Sequence, residues 1–134
     1  MIIFCFSCLE GHSQDTIYLN NAMKHSDKAT AGFYRVTDKN SELITVKEYT
    51  IAGKLQQFTE YSSLDPEVKN GRSTTYYPNG GVREMGFYKN NNKDSVWTLY
   101  DQNNNISIQY LYINGGKMVK VLQAAGENKT GNSK

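Results

Sequence analysis

Gly71–Asp94 reads GRSTTYYPNGGVREMGFYKNNNKD, and Ser95–Met118 reads SVWTLYDQNNNISIQYLYINGGKM. Laid over each other at a period of 24, Tyr76 falls on Tyr100, Asn79 on Asn103 and Val82 on Ile106. Phe87 then falls on Leu111, Tyr88 on Tyr112 and Asn90 on Asn114. A looser copy lies upstream, where Tyr49, Gly53, Leu55 and Tyr61 stand 27 residues before Tyr76, Gly80, Val82 and Tyr88. Three extra residues in a loop over Ser62–Asn70 account for the longer spacing. A fixed period of this length makes each copy one supersecondary unit that buries its apolar side only when stacked on neighbours.

Each copy reads as a β-hairpin. Ala52-Gly53, Asn79-Gly80 and Asn103-Asn104 sit where a two-residue turn needs positive φ, which Gly and Asn tolerate best. With Asn79-Gly80 as the turn, Tyr77 faces Val82 and Thr75 faces Glu84. One period on, Asp101 faces Ile106, Leu99 faces Ile108, Trp97 faces Tyr110 and Ser95 faces Tyr112. Directly opposed residues share a sheet face, so Trp97, Leu99, Ile106, Ile108, Tyr110 and Tyr112 line one apolar surface. A further turn at Asn114-Gly115 places Val119 opposite Tyr110 and Val121 opposite Ile108. Ile44, Val46, Leu55 and Tyr61 continue the same face upstream. The opposite face carries Arg72, Arg83, Ser107, Gln109 and Lys120 together with Met85, Phe87 and Leu111, and is mixed rather than dry.

Composition agrees. The chain has 134 residues, which suits one domain, with ten Tyr, eleven Gly and fourteen Asn beside two Pro. Tyr favours a pleated, half-buried surface, and Gly and Asn favour hairpin turns. The fold class expected is all-β, an antiparallel hairpin meander of about eight strands forming an elongated or curled sheet. Asn20–Gly32 supplies a short helix or loop, with Ser26 or Asp27 as its cap before Lys28. Fifteen basic against thirteen acidic residues leave +2, too even for an electrostatic grip on nucleic acid.

Ile2–Leu9 is an apolar run too short to span a bilayer, and the small residues Gly11 and Ser13 follow at the spacing of a signal-peptidase site. The basic start of such a signal is missing, since no Lys or Arg precedes Lys24; the alternative is a buried first strand with Phe4 and Phe6 on one side. Both cysteines, Cys5 and Cys8, fall inside this run; Cys8 fits a lipoprotein acylation site poorly. The chain thus divides into a signal-like segment over 1–14, a repeat domain over 15–123 and a disordered tail over 124–134. Export to the periplasm or cell surface is expected, with no transmembrane span.

The pattern Tyr76-Tyr77-x-Asn79-Gly80-x-Val82, with Gly71 before it and Trp97, Tyr100 and Asn103 in the next copy, resembles the variant MORN repeat of bacterial proteins. Ser95 stands where the repeat has its leading Gly, Asp101 replaces its second Tyr, and Asn104 its turn Gly. Upstream, Gly32-Phe33-Tyr34-Arg35-Val36, Val46-x-x-Tyr49, Gly53-Lys54-Leu55-Gln56 and Tyr61-Ser62-Ser63 resemble a secreted region that precedes such repeats in envelope proteins of the TonB type. The likeness covers roughly Thr16 to Lys117. It implies hairpin repeats and, since related repeat proteins include antitoxins, binding to a partner without catalytic residues. No TonB-type C-terminal domain accompanies it, so energy transduction is not carried over.

Catalytic patterns are sparse. His25 lies in a polar stretch that reads as a solvated loop, and the glycine pairs Gly80-Gly81 and Gly115-Gly116 precede no helix and read as turns. Asp38 with Glu42 and Asp65 with Glu67 read as surface charge. Asp94, Asp101 and Asn103–Asn105 lack the spacing of a calcium loop. No metal, cofactor or catalytic residue is expected. The binding candidates are aromatic: Tyr76 and Tyr100 on the face opposite Trp97, with Arg83 across from Tyr76 as a cation, and then Tyr77 and Trp97. They serve either a non-enzymatic module that contacts an envelope protein through a repeat face or a sheet edge, self-association included, or a module that stacks glycan or peptidoglycan on its Tyr/Asn face.

Overall fold

The computed structural model describes residues 13–40 and 42–124. The signal-like run and its cysteines, and all of the tail beyond Ala124, lie outside the described residues. Nine strands follow one another: β1 (Ser13–Leu19), β2 (Phe33–Lys39), β3 (Ile44–Thr50), β4 (Leu55–Leu64) and β5 (Glu67–Tyr76), then β6 (Val82–Lys89), β7 (Asn92–Tyr100), β8 (Ile106–Ile113) and β9 (Lys117–Ala124). They pair antiparallel in sequence order within one sheet that does not close into a barrel. Between β1 and β2 the chain makes a single 3-10 turn, Lys28–Thr30, behind Asp27, whose side chain makes no capping bond. The loop is tied instead by backbone bonds from Ser26 to Tyr18 and from Gly32 to Leu19.

The stretch read as a loop over Ser62–Asn70 is strand except at its centre. β4 and β5 run on to Leu64 and Glu67, which pair across Asp65-Pro66, joined by a cis peptide bond. The segment is longer than its counterparts because its strands are longer.

The middle turns correct the register by one residue. In each, a residue donates to a carbonyl four places on: Thr50 to Lys54, Tyr77 to Gly81, Asp101 to Asn105. A single positive φ falls at Gly53 (88°), Gly80 (87°) and Asn104 (66°). These are three-residue loops closed by one left-handed residue, not two-residue turns. Val82 therefore opposes Tyr76 rather than Tyr77, and Ile106 opposes Tyr100 rather than Asp101. Deeper in the hairpins the expected pairs hold: Thr75 with Glu84, Leu99 with Ile108, Trp97 with Tyr110, Ser95 with Tyr112. The last turn spans Asn114, Gly115 and Gly116, all at positive φ, and Val121 opposes Tyr110 while Ala124 opposes Ile108. The turn Asn90-Asn91 does have two residues, with φ of 48° and 68°.

Bulges keep the repeat's period. Register shifts in the β4–β5, β6–β7 and β8–β9 ladders leave Gly71, Ser95 and Val119 unpaired with the partner strand, at steps of 24. Gly71 has φ 122° and Ser95 has φ 59°. The leading Gly of the repeat thus sits where a bulged strand needs positive φ, and Ser95 occupies that position in the left-handed region.

Hairpins are also laced to one another. The Tyr77 hydroxyl donates to the Tyr100 carbonyl (2.7 Å) and Asn79 Nδ2 to the Gln102 carbonyl (3.2 Å) at one end of the strands. At the other end Asn91 Nδ2 donates to Glu67 O, and Asn91 Oδ1 accepts from the Lys69 amide. Side chains at these turns thus tie neighbouring copies together.

Candidate functional site

Cross-strand pairs divide the side chains into two faces. One row runs Val46, Thr59, Ser73, Gly86, and then Trp97, Tyr110 and Val121. Trp97 is 2% exposed and lies against Gly86, where an added Cβ would collide with the indole. The β7 bulge beside it takes the strand out of step with Phe87, and indole Nε1 donates to the Phe87 carbonyl at 2.9 Å. Tyr88 meets the indole edge-on at 5.0 Å. Buried Leu19, Val46 and Tyr61 share this face, but it is not dry throughout. Thr59 and Ser73 are buried and hydrogen-bond each other at 3.0 Å.

Two ion pairs stand on the Trp97 face. Arg35 Nε donates to Glu48 Oε1 at 2.9 Å, and Lys93 Nζ to Glu84 Oε1 at 2.6 Å. Lys93 also stands 4.0 Å above the Trp97 ring, and Lys69 stands 5.0 Å above Tyr88. Burial raises the Tyr61 hydroxyl above its ordinary value, helped by the nearby Glu67 carboxylate, and burial likewise raises Tyr88.

The opposite face is built on the row Lys47, Phe58, Thr74, Met85 and Thr98. Beside it, Arg72 pairs with Phe87 and Phe87 with Asp94. A shallow groove of about 330 Å³ opens between Phe58, Arg72, Thr74, Tyr76, Met85 and Phe87. Phe87 is 48% and Met85 41% exposed, and Val96 is exposed on the same side. One ion pair belongs to this face. Buried Glu60 accepts from Arg72 Nε (3.0 Å), Nη2 (2.8 Å) and the Arg72 amide (2.6 Å). Gly71 permits that approach, since a Cβ there would meet the Glu60 side chain. The hydrogen bonds it donates to Glu60 raise the Arg72 guanidinium further above its already basic value.

The aromatic candidates separate accordingly. Tyr76 lines the groove, and the Tyr100 hydroxyl lies 3.6 Å from Met85 Sδ on the same face. Arg83 is exposed at the bulge beside Tyr76, yet the cation that sits over a ring here is Arg72, 5.7 Å from the Phe58 centroid. Tyr77 is engaged as a strut to Tyr100, and Trp97 is core. Phe58, Met85 and Phe87 complete the surface. For Met85 and Phe87 the signal was the alternation of β6, where Arg83, Met85, Phe87 and Lys89 recur at every second residue.

No protein-family model, curated protein or solved structure matches the chain. The fold and this surface therefore carry the functional reading by themselves. Among the described residues no helix is long and apolar enough to cross a membrane. His25 is exposed in the loop after β1.

Proposed function

We propose that this chain is a non-enzymatic binding module of the variant MORN type, exported to the cell envelope, where it holds another protein against its Phe87 face. The observation that carries the reading is the apolar surface of Phe58, Met85 and Phe87, with Val96 exposed on the same side, on a sheet that no second layer covers among the described residues. Apolar side chains left open together on one face mark an interaction surface. The β9 edge is a poorer candidate. β9 carries Lys117 and Lys120 and two register shifts, features that hinder strand addition. Glycan stacking, the second reading, needs open ring faces and falls to Tyr76 and Tyr100. Trp97 is buried, and Tyr34 and Tyr49 are stacked on each other at 4.9 Å with 10° between planes.

A photo-crosslinking residue at Phe87, compared with the same residue at exposed Asp15 on the other face, tests this in a bacterial host. Protein adducts confined to position 87, and a mature N-terminus near residue 14 by mass spectrometry, are the expected results. Adducts equal at both positions would defeat the binding surface. Shifts of Tyr76 and Tyr100 resonances with cell-wall fragments would move the reading to glycan.

A further inference from the structure

The two faces differ in how their charge is used. The ion pairs of Arg35 with Glu48 and of Lys93 with Glu84 stand on the Trp97 face. On the Phe87 face, Glu60 is consumed by Arg72, and Lys47, Arg83 and Lys89 take part in no ion pair among the described residues. Their placement is regular. Strand β6 presents Arg83, Met85, Phe87 and Lys89 in alternation, a cation, two apolar groups and a cation. Lys47 flanks Phe58 on the far side of the groove. The two β6 cations stand six positions apart, about 20 Å at 3.4 Å per residue. The Asp94 carboxylate, opposite Phe87, is engaged by the Ser95 hydroxyl at 2.8 Å.

Resting on the protein-binding reading above, we propose that the occupant of this face is an extended acidic segment of the partner, laid along β6. It reads acid, x, apolar, x, apolar, x, acid. Its carboxylates meet Arg83 and Lys89, and one apolar side chain enters the groove between Phe58, Tyr76, Met85 and Phe87. Charge complementarity selects this occupant: cations without internal partners bracket an apolar centre, so a basic segment is repelled and a purely polar one leaves the groove unfilled.

The test titrates the full chain, followed by amide NMR, with a peptide carrying Asp-Ser-Leu-Ser-Leu-Ser-Asp. Two controls carry Lys for both Asp, or Ser for both Leu. The acidic apolar peptide is expected to bind tightest and to shift β6 and Phe58 amides. Its affinity should fall roughly tenfold in Phe87→Ser, the loss expected when a central apolar anchor is truncated. It should fall again in the double variant Arg83→Glu with Lys89→Glu, and with added salt. An unchanged Trp97 emission spectrum shows that each variant is folded. Equal binding of the Lys peptide, binding unaffected by Phe87→Ser, tighter binding of a single-stranded oligonucleotide, or no binding at all would overturn the inference. Protein adducts at position 87 in the same experiment series would leave the broader reading standing; their absence would remove both.

Discussion

Gly86 and Phe87 are neighbours in sequence and opposites in use. Gly86 points to the face where the Trp97 indole lies against the backbone, and Phe87 points to the face that no other described residues cover. The first face spends its polar groups on one another, Thr59 on Ser73, Arg35 on Glu48, Lys93 on Glu84. The second keeps Lys47, Arg83 and Lys89 without ion-pair partners among the described residues, around exposed apolar groups. A single-layer sheet cannot hide both sides, so burial on one leaves the other available for contact.

The contrast is sharpest in adjacent substitutions. Gly86→Val forces a side chain into the indole and should destabilise the fold by about 3 kcal/mol, whereas Phe87→Ser should change it by under about 1 kcal/mol. Urea unfolding followed by Trp97 fluorescence measures both; equal effects would mean that the faces do not differ as described. Glu60→Ala removes the acceptor of three hydrogen bonds and should cost about 2 kcal/mol. The same substitution at Glu84, partly exposed beside Lys93, should cost about 1 kcal/mol or less.

Alkali tests the Trp97 face by itself. Tyr61 and Tyr88 hold their protons above 10.0 in the folded chain, so the unfolded chain ionises first. Their contribution is complete below 10.0 and is lost as the pH climbs through the folded values. Tyr61→Phe with Tyr88→Phe should flatten the fall of unfolding free energy in that window, and an unchanged slope would contradict their burial. The smallest effect is at a turn. The Asn105 amide, with the Asn105 side chain and the Asn103 amide, holds the Asp101 carboxyl below 3.8. Its support is present above 3.8 and disappears as the pH falls through the lower folded value. Carbonyl NMR titration of Asp101 should show a midpoint below that of a free aspartate.

Much of this fold was legible in the repeat. The period located every middle turn, and alternation alone put Trp97 with Tyr110 and Tyr76 away from Trp97. Pairing near the turns and in the last hairpin was not legible, because strict alternation allows no extra residue. The bulges at Gly71, Ser95 and Val119 break it, and only Gly71, a glycine within a strand pattern, signals one. Ser95 carries no such mark. The same limit applies to the surface. Phe58 joins Met85 through the row Lys47, Phe58, Thr74, Met85, which exists only once three ladders are in register. The internal pairing of charge on one face was hidden for the same reason.

In the backbone ladders each strand pairs only with the strands before and after it, and β1 and β9 are the outermost strands among the described residues. Tension between the chain's ends is therefore directed mainly across the strands, along the hydrogen bonds, and loads one ladder at a time rather than shearing several together. Under load the domain peels open like a zipper, lengthening in strand-sized steps, and behaves mechanically as a compliant tether.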